Sequence, residues 1–311
     1  MGATRWSEAA YADRATLRAT TKAPVFEHSS KIEKGEVEAK THARMDAKNK
    51  IRECRDSETH PEARPVAAGL DVTGSMRHTP VILQASLCKL LGLILRKGYL
   101  TDLAILISAF GDAYQDRAPL QIGQFESGIE IENDLQRLYL EGGGGTGIHE
   151  SSELFLYFLA NKVVSDAWEK RRQKGYAFII TDELPYPQVC GEQVAAILGD
   201  QPPADILTAE VVEQVREKWE LFVITPNMTA NWNLTQVSEG WRDLVGQNYL
   251  RLEEPSALAE LIACQIGCCE GVITTPDRAL SDMVDEKTAP AEAERVSRSL
   301  RYTSSRATAS V

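Results

Sequence analysis

Residues 65–75 read PVAAGLDVTGS, an apolar run that stops at a cluster of polar oxygens. A short apolar run bounded in this way predicts a buried β-strand. A second run of this kind, YAFII at residues 176–180, is followed by Thr181 and Asp182. In an open α/β sheet, ligands bind outside the carboxyl ends of the strands. We therefore expect Asp71, Thr73, Ser75 and Asp182 to converge at one edge of a parallel sheet.

The rest of the central region alternates between apolar runs and amphipathic stretches, which is typical of α/β layering. This pattern predicts a doubly wound, mostly parallel open sheet with helices on both faces. One edge strand is expected to be antiparallel, because two runs are close enough to form a hairpin. The predicted elements are strands at residues 65–70, 103–110, 120–125, 176–181, 221–225 and 249–252, and helices at residues 80–96, 150–173 and 255–268.

Composition divides the chain into three segments. Residues 1–63 are polar and charge-mixed, so we predict an arm that is partly disordered or loosely packed. Residues 64–272 carry the apolar runs and form the predicted α/β domain. Residues 273–311 lack apolar periodicity and are predicted to be a disordered tail.

Charge and hydropathy exclude several function classes. The formal net charge of −11 argues against a nucleic-acid binder, which needs a concentrated basic face. No apolar run approaches the roughly 20 residues of a membrane span, and no secretory core follows the N-terminus. The six cysteines show no paired CxxC spacing. We expect a cytoplasmic protein with reduced thiols that binds neither nucleic acid nor membrane.

A third polar segment, GGGGTG at residues 142–147, presents Thr146 in a glycine-rich loop. Thr73, Ser75 and Thr146 supply neutral oxygens, and Asp71 and Asp182 supply charge. Oxygen donors of this kind suit Mg²⁺, with Mn²⁺ and Ca²⁺ as the alternatives. A site with so few carboxylates leaves the cation net positive, able to accept an acidic group from outside.

These three segments resemble the metal-ion-dependent adhesion site of the von Willebrand factor A (VWA) domain family. The family pattern is Asp-x-Ser-x-Ser after the first strand, a Thr in a second loop and an Asp after the fourth strand. Here Asp71-x-Thr73-x-Ser75, Thr146 and Asp182 match it, with Thr73 in place of the first Ser. The resemblance covers roughly residues 64 to 270 and suggests an intracellular, bacterial or phage type of member.

The resemblance implies that Thr73, Ser75 and Thr146 contact the metal, while Asp71 and Asp182 act through water or hydrogen bonds. It also implies a non-enzymatic interaction module in which an Asp or Glu of a protein partner completes the metal coordination. Intracellular relatives often serve as scaffolds for an AAA+ ATPase or a kinase-phosphatase module, so an AAA+ ATPase or a protein kinase is the expected partner class.

Two other functions remain open at this stage. A metal-dependent phosphohydrolase could use the same acidic edge, with Glu183, Glu150 or Asp112 as a general base. A dinucleotide-binding loop is suggested by Gly142-x-Gly144-x-x-Gly147, although the next strand-end acid is too far away. Otherwise Glu150 is expected to stabilise a helix N-terminus, and Asp112 and Asp116 to form a solvated acidic hairpin.

Overall fold

The computed structural model of the protein describes residues 5–76, 78–145, 147–202, 204–227 and 229–302. Its strands are β1 (Arg52–Cys54), β2 (Arg64–Asp71), β3 (Leu103–Phe110), β4 (Leu120–Ile122), β5 (His149–Glu150), β6 (Val163–Ser165), β7 (Gly175–Ile180), β8 (Leu184–Pro185), β9 (Gln188–Val189), β10 (Ile206–Leu207), β11 (Trp219–Pro226) and β12 (Tyr249–Leu252). Its helices are α1 (Glu8–Thr21), α2 (Glu27–Glu33), α3 (Thr79–Arg96), α4 (Glu130–Arg137), α5 (Ser152–Asn161), α6 (Asp166–Arg171), α7 (Gly191–Ile197), α8 (Thr208–Lys218), α9 (Thr235–Val245), α10 (Leu258–Cys269), α11 (Pro276–Asp285) and α12 (Pro290–Ser299).

The central sheet has the strand order β12-β11-β7-β2-β3-β4. Strands β12, β11, β7, β2 and β3 run parallel, and β4 pairs antiparallel with β3 at the edge. The chain enters at β2 in the middle and then winds outward in both directions, which makes the sheet doubly wound. The predicted fold class, including the antiparallel edge strand, is confirmed.

Helices cover both faces of this sheet. On one face, α3 and α10 bury their apolar sides in a cluster that includes Ala68 and Leu70 of β2. On the other face, α5, α8 and α9 pack in a cluster that includes Ala67. Successive side chains of a strand point to opposite faces, so β2 must be apolar on both. This double burial explains why β2 is a continuous apolar run instead of an alternating one.

The first covering helix, α3, is the longest helix in the described part of the chain. Within the described ranges it is the helix whose length and hydropathy would suit a membrane span, and half of that window is buried inside the protein. Its buried residues include Leu87 and Leu91, which belong to the same cluster as the apolar side of α10.

The register of the two middle strands brings the predicted site residues together. Leu70 of β2 lies opposite Ile180 of β7, and the two strands run in the same direction. The residues that follow, Asp71 on β2 and Thr181-Asp182 after β7, therefore leave the sheet side by side.

The single helix predicted for residues 150–173 is wrong. The chain there forms β5, α5, β6 and α6 in turn. β-Branched Val163 and Val164 pair with β1, and the Oγ of Ser165 then caps α6 by accepting a 3.3 Å hydrogen bond from the Trp168 amide. The sequence pattern does not indicate this break between α5 and α6, because apolar residues continue through it.

The N-terminal arm is better ordered than its composition predicted. Residues 5–63 include α1, α2 and β1, and Tyr11 and Met45 are buried in the main core. The Tyr11 hydroxyl donates a 3.0 Å hydrogen bond to the Gly128 carbonyl. A few apolar residues at the right positions thus fasten a mostly polar segment to the domain.

The prediction of a disordered tail from residue 273 onward is wrong for residues 276–299, which form α11 and α12. Ala279 and Met283 of α11, and Ala293 and Val296 of α12, are buried in the same core cluster as α10. These pairs are spaced i, i+4 and i, i+3, which is enough to form a narrow apolar stripe on otherwise polar helices. Residues 303–311 lie outside the described part, and the division at residues 64 and 272 stays a prediction.

Candidate functional site

The loop after β2 is organised around the carboxylate of Asp71. Asp71 Oδ1 accepts hydrogen bonds from the Thr73 amide at 2.9 Å and from Thr73 Oγ1 at 2.6 Å. Asp71 Oδ2 accepts a 2.7 Å bond from Thr181 Oγ1 at the end of β7. Because both oxygens are engaged, this buried carboxylate has a fixed orientation, and it connects the ends of two neighbouring strands.

A second link joins the same two strand ends on the solvent side. Ser75 Oγ donates a 2.7 Å hydrogen bond to Asp182 Oδ1, and Asp182 Oδ2 accepts a 2.8 Å bond from the Asn231 amide. Asp182 is fully buried, whereas Ser75 is half-buried. The structure therefore brings together Asp71, Thr73, Ser75 and Asp182.

The two hydroxyl oxygens lie next to each other with no hydrogen left to share. Thr73 Oγ1 and Ser75 Oγ are 3.3 Å apart. A hydroxyl has one hydrogen, and each of these is donated to a carboxylate, Asp71 or Asp182. The oxygens thus face each other with lone pairs, which is unfavourable unless a positive charge lies beside both. Neighbouring ligands of an octahedral Mg²⁺, each about 2.1 Å from the ion, are about 3 Å apart.

The glycine-rich loop lies against this pair of hydroxyls. The Gly74 amide donates to the Gly143 carbonyl at 3.0 Å, and the Gly144 amide donates to Asp116 Oδ1 at 3.0 Å. Gly144 has φ +108°, and a Cβ there would lie 2.6 Å from Glu150 Oε1 and 3.1 Å from the Thr73 Cβ. Only glycine fits such a position without displacing its neighbours.

Thr146, the fifth predicted site residue, lies outside the described residues. The preceding Gly145 is placed, because its amide donates a 3.2 Å hydrogen bond to Glu150 Oε1. The loop that carries Thr146 therefore reaches the same region as the four placed residues, and the role of Thr146 stays a prediction.

Three further carboxylates, Asp112, Glu150 and Glu183, form an acidic cluster behind the glycine-rich loop. Their exposed fractions are 0%, 1% and 7%. Each has one buried oxygen, Asp112 Oδ2, Glu150 Oε2 or Glu183 Oε2, that receives no hydrogen bond from an N–H or hydroxyl donor of the described residues. The carboxyl groups of Glu150 and Glu183 are close enough to share a proton. Unpaired buried carboxylate oxygens are costly and call for a proton or a cation.

Two sequence predictions for these acids are wrong. Asp112 is not part of a solvated hairpin: it is buried, and its Oδ1 accepts bonds from the Tyr114 amide and the Tyr186 hydroxyl. Glu150 lies in β5, before α5 begins at Ser152, and accepts from the Gly145 amide instead of capping the helix. Glu150 therefore supports the glycine-rich loop, whereas Asp112 connects its own loop to Tyr186.

Burial dominates the protonation of the acidic groups in this region. Burial raises the pKa of Asp71 to about 6, although the hydrogen bonds from Thr73 and Thr181 oppose the shift. Burial also raises the pKa of both Glu150 and Glu183, and the charge of Asp71 raises both further. A cation at this edge would favour the ionised forms of all three.

Two contributors to the site were missed by the sequence reasoning. Thr181 follows β7 directly, and its hydroxyl is the donor that holds Asp71 Oδ2. Asn231 belongs to the loop before α9 and positions Asp182 through its backbone amide. The Asn231 side-chain amide also donates a 3.3 Å hydrogen bond to Glu183 Oε1. No local pattern indicates Asn231, since it lies 49 positions from Asp182 and 48 from Glu183.

The donor set fits a hard cation. Across the described ranges, no group of three or more His, Cys, Asp or Glu side chains is arranged to hold a metal ion. A cation here would therefore depend on the hydroxyls of Thr73 and Ser75 and on the charge of the buried carboxylates. Hydroxyl and carboxylate oxygens are the ligands that Mg²⁺ prefers.

The geometry does not fit a dinucleotide site. In that fold the glycine fingerprint joins the first strand of the sheet directly to a helix. Here residues 138–145 are not in a strand, and the loop leads into the short strand β5. The loop is instead hydrogen-bonded to the β2–α3 connection through Val72 and Gly74.

No protein-family model and no curated protein matches the chain. Solved structures with a similar chain path include the open pilus adhesin SpaC of Lactobacillus rhamnosus GG, with a TM-score of 0.46, 9% identity, and coverage of 78% of this chain and 33% of that one. The vWF domain of the pilus tip protein Mfa5 of Porphyromonas gingivalis is 11% identical, with a TM-score of 0.43 and coverages of 72% and 96%. A von Willebrand factor type A structure from Catenulispora acidiphila is 12% identical, with a TM-score of 0.40 and coverages of 76% and 53%. The chain thus spans about a third of the SpaC structure.

Proposed function

We propose that the chain is a Mg²⁺-dependent protein-interaction module of the VWA type. One observation carries the proposal: Thr73 Oγ1 and Ser75 Oγ lie 3.3 Å apart while each donates its hydrogen to a buried aspartate. Their lone pairs face the same space, and a cation would relieve the repulsion between them. This space lies outside the carboxyl ends of β2 and β7, where α/β proteins bind ligands.

In this proposal, Thr73, Ser75 and Thr146 hold the ion, and Asp71 and Asp182 orient the hydroxyls and hold water. The bound ion provides a positive charge at a half-open position, because Ser75 is only half-buried. Mg²⁺ usually keeps several exchangeable ligands. An Asp or Glu side chain of a protein partner replaces one of them, and recognition thereby depends on the metal.

The partner class and the compartment belong to the same proposal. An AAA+ ATPase or a protein kinase is the class that the sequence resemblance implies. All six cysteines, at positions 54, 88, 190, 264, 268 and 269, are free thiols, which supports a reducing compartment such as the cytoplasm.

Metal binding is tested by thermal unfolding of the purified chain in EDTA and in increasing Mg²⁺. A ligand that binds only the folded state adds about 2.7 kcal/mol of stability at 100 times its Kd. We expect the wild type to be stabilised by Mg²⁺ and Asp71→Asn to lose that effect, since the isosteric amide removes the charge. Asp243→Asn, on the exposed face of α9, is the matched control. Equal stabilisation of the wild type and Asp71→Asn would contradict the proposal.

A second candidate, a metal-dependent phosphohydrolase, is favoured by the buried glutamates next to the proposed cation. Burial raises the pKa of Glu150 and of Glu183, and acids with raised pKa values near a metal can serve as proton donors or acceptors. Hydrolysis of para-nitrophenyl phosphate in Mg²⁺ or Mn²⁺ separates the two candidates. Turnover that Asp71→Asn abolishes and Asp243→Asn preserves would establish the enzyme and exclude a purely binding role.

A further inference from the structure

A small polar cleft lies between α2, α4 and the connection from α2 to β1. Its volume is about 230 Å³, and its lining includes Glu27, His28 and Lys31 of α2, His42 of the connection, and Gln136 and Arg137 of α4. The two helices pack against each other. Ser29 Oγ of α2 donates a 3.0 Å hydrogen bond to the Leu138 carbonyl and accepts a 2.7 Å bond from the Leu140 amide. These bonds fasten α2 to the end of α4, so the walls of the cleft are fixed by the fold.

Basic side chains predominate in this cleft, although the chain as a whole has a formal net charge of −11. His28, His42 and Arg137 are half-buried. Lys31 and Glu27 lie at the rim, where their side chains are 44% and 51% exposed. Charges in a partly desolvated, concave site act more strongly on a ligand than charges on an open surface. The cleft therefore favours an anion.

His42 reports the positive potential inside the cleft. Burial lowers the pKa of His42, and the basic groups around it lower this pKa further. In decreasing order of effect, these groups are His28, Arg137, Arg44 and Lys31. They belong to α2, to α4 and to the connection, so the cations converge from every wall. A bound anion would offset their mutual repulsion.

The basic groups also keep hydrogen-bond donors for a ligand. A guanidinium group has five N–H donors, and Arg137 uses one of them in a 2.7 Å bond to Asp134 Oδ1. An ammonium group has three, and Lys31 pairs with Glu27 at 2.5 Å. The Nδ1 of His42 accepts a 3.1 Å bond from the Arg44 amide, so the hydrogen of the neutral ring is on Nε2. All three side chains can thus donate to an oxyanion without losing their present partners.

We propose that this cleft binds a single phosphate group, as inorganic phosphate or as a phosphate monoester. Such a group has several acceptor oxygens and between one and two negative charges at neutral pH, which suits the planar fork of Arg137 next to an ammonium group and imidazoles. The volume of about 230 Å³ lies below the roughly 300–1,000 Å³ of pockets for drug-sized ligands, and a single phosphate group is smaller than those ligands. None of the residues named here belongs to the candidate cation site, so the inference is independent of the proposed function.

Isothermal titration calorimetry of the full chain, at constant ionic strength, measures the binding. EDTA is present throughout, so that no metal ion can bridge the anion to the protein. Inorganic phosphate and methyl phosphate are the two probes, and the tighter binder identifies the form of the ligand. We expect saturable binding that Arg137→Gln weakens by about tenfold or more, because charge-assisted hydrogen bonds are lost.

The rim pair provides two changes of opposite sign. Lys31→Gln should weaken phosphate binding about threefold and Glu27→Gln should tighten it about threefold, since solvent and salt screen charges at the rim. A general loss of stability cannot produce tighter binding. Lys34→Gln and Glu33→Gln are the matched controls, because both residues are exposed at the end of α2 and lie outside the cleft. The inference would be overturned if neither probe bound the wild type, or if Lys34→Gln weakened binding as much as Lys31→Gln.

Discussion

Ser75 Oγ and Asp182 Oδ1 are 2.7 Å apart although 107 positions separate the two residues in the chain. This bond uses the only hydrogen of the Ser75 hydroxyl and leaves its lone pairs facing Thr73 Oγ1. It also satisfies one oxygen of a fully buried aspartate. The serine is thus both a proposed ligand and the partner that orients the second carboxylate.

Replacement of this serine should weaken cation binding more than it weakens the fold. We expect Ser75→Ala to raise the Mg²⁺ concentration needed for half-maximal thermal stabilisation by at least about tenfold, since one ligand and one orienting bond are lost. Ser86→Ala is the matched control: Ser86 is also part-buried, but its hydroxyl donates to carbonyls within α3. An unchanged Mg²⁺ response in Ser75→Ala would exclude the hydroxyl as a ligand.

Gly144 and Gly142 offer a paired test of the glycine-rich loop. Both have positive φ, +108° and +66°, so alanine strains the backbone at either position. At Gly144 the added Cβ would also lie 2.6 Å from Glu150 Oε1, whereas at Gly142 it meets no atom within 4 Å. We expect Gly142→Ala to cost about 1 kcal/mol and Gly144→Ala about 2–3 kcal/mol.

Chemical denaturation measures the free energy of unfolding of both variants, and their thermal stabilisation by Mg²⁺ is measured in parallel. Gly144→Ala should also weaken that response, because the loop is displaced from Thr73 and Glu150. Equal costs for the two variants would mean that the loop does not lie where the structure places it.

Glu153 should make the protein less stable at alkaline pH. It is fully buried, and burial raises its pKa from 4.5 to about 8. The folded state therefore binds this proton more tightly than the unfolded chain. The resulting stabilisation is complete below pH 4.5 and is lost as the pH rises through about 8.

Glu153→Gln, which cannot ionise, tests this dependence by urea denaturation at pH 5 and pH 9. Between pH 5 and pH 9 we expect the stability of the variant relative to the wild type to rise by up to about 4 kcal/mol, because the wild type loses about 1.4 kcal/mol at most for each of the roughly three pH units up to the pKa of Glu153. Glu213→Gln, on the exposed side of α8, should show no such difference. A wild type and variant that respond identically to pH would show that Glu153 is not the responsible group.

The sequence predicts the structure correctly where a single effect, the burial of apolar side chains, determines it. The central strands are buried on both faces, so their apolar runs are unambiguous, and β3 and β12 occupy the predicted residues. Asp71, Thr73, Ser75 and Asp182 follow strand ends, and parallel strand ends share one edge by topology. The strand-end residues in the sequence and the parallel strand order in the fold therefore identify the same four residues.

The errors arose where long-range packing decides the structure. The fully buried Asp112 is hydrogen-bonded to Tyr186, which lies 74 positions away, whereas its place in a polar loop predicted a solvated hairpin. The break between α5 and α6 depends on pairing of β6 with β1, more than 100 positions earlier. The spacing of apolar residues along the sequence indicates neither of these long-range contacts.

The last segment, α11 and α12, illustrates the same limit and can be tested directly. Met283 has no exposed surface and packs in the main core, whereas its neighbour Val284 is 38% exposed. We expect Met283→Ala to reduce the free energy of unfolding by about 2–4 kcal/mol, because it leaves a cavity, and Val284→Ala to cost less than about 1 kcal/mol. Urea denaturation measures both. If residues 276–285 formed a disordered tail, neither substitution would change stability, so two equally small effects would contradict the observed packing of α11 against the domain.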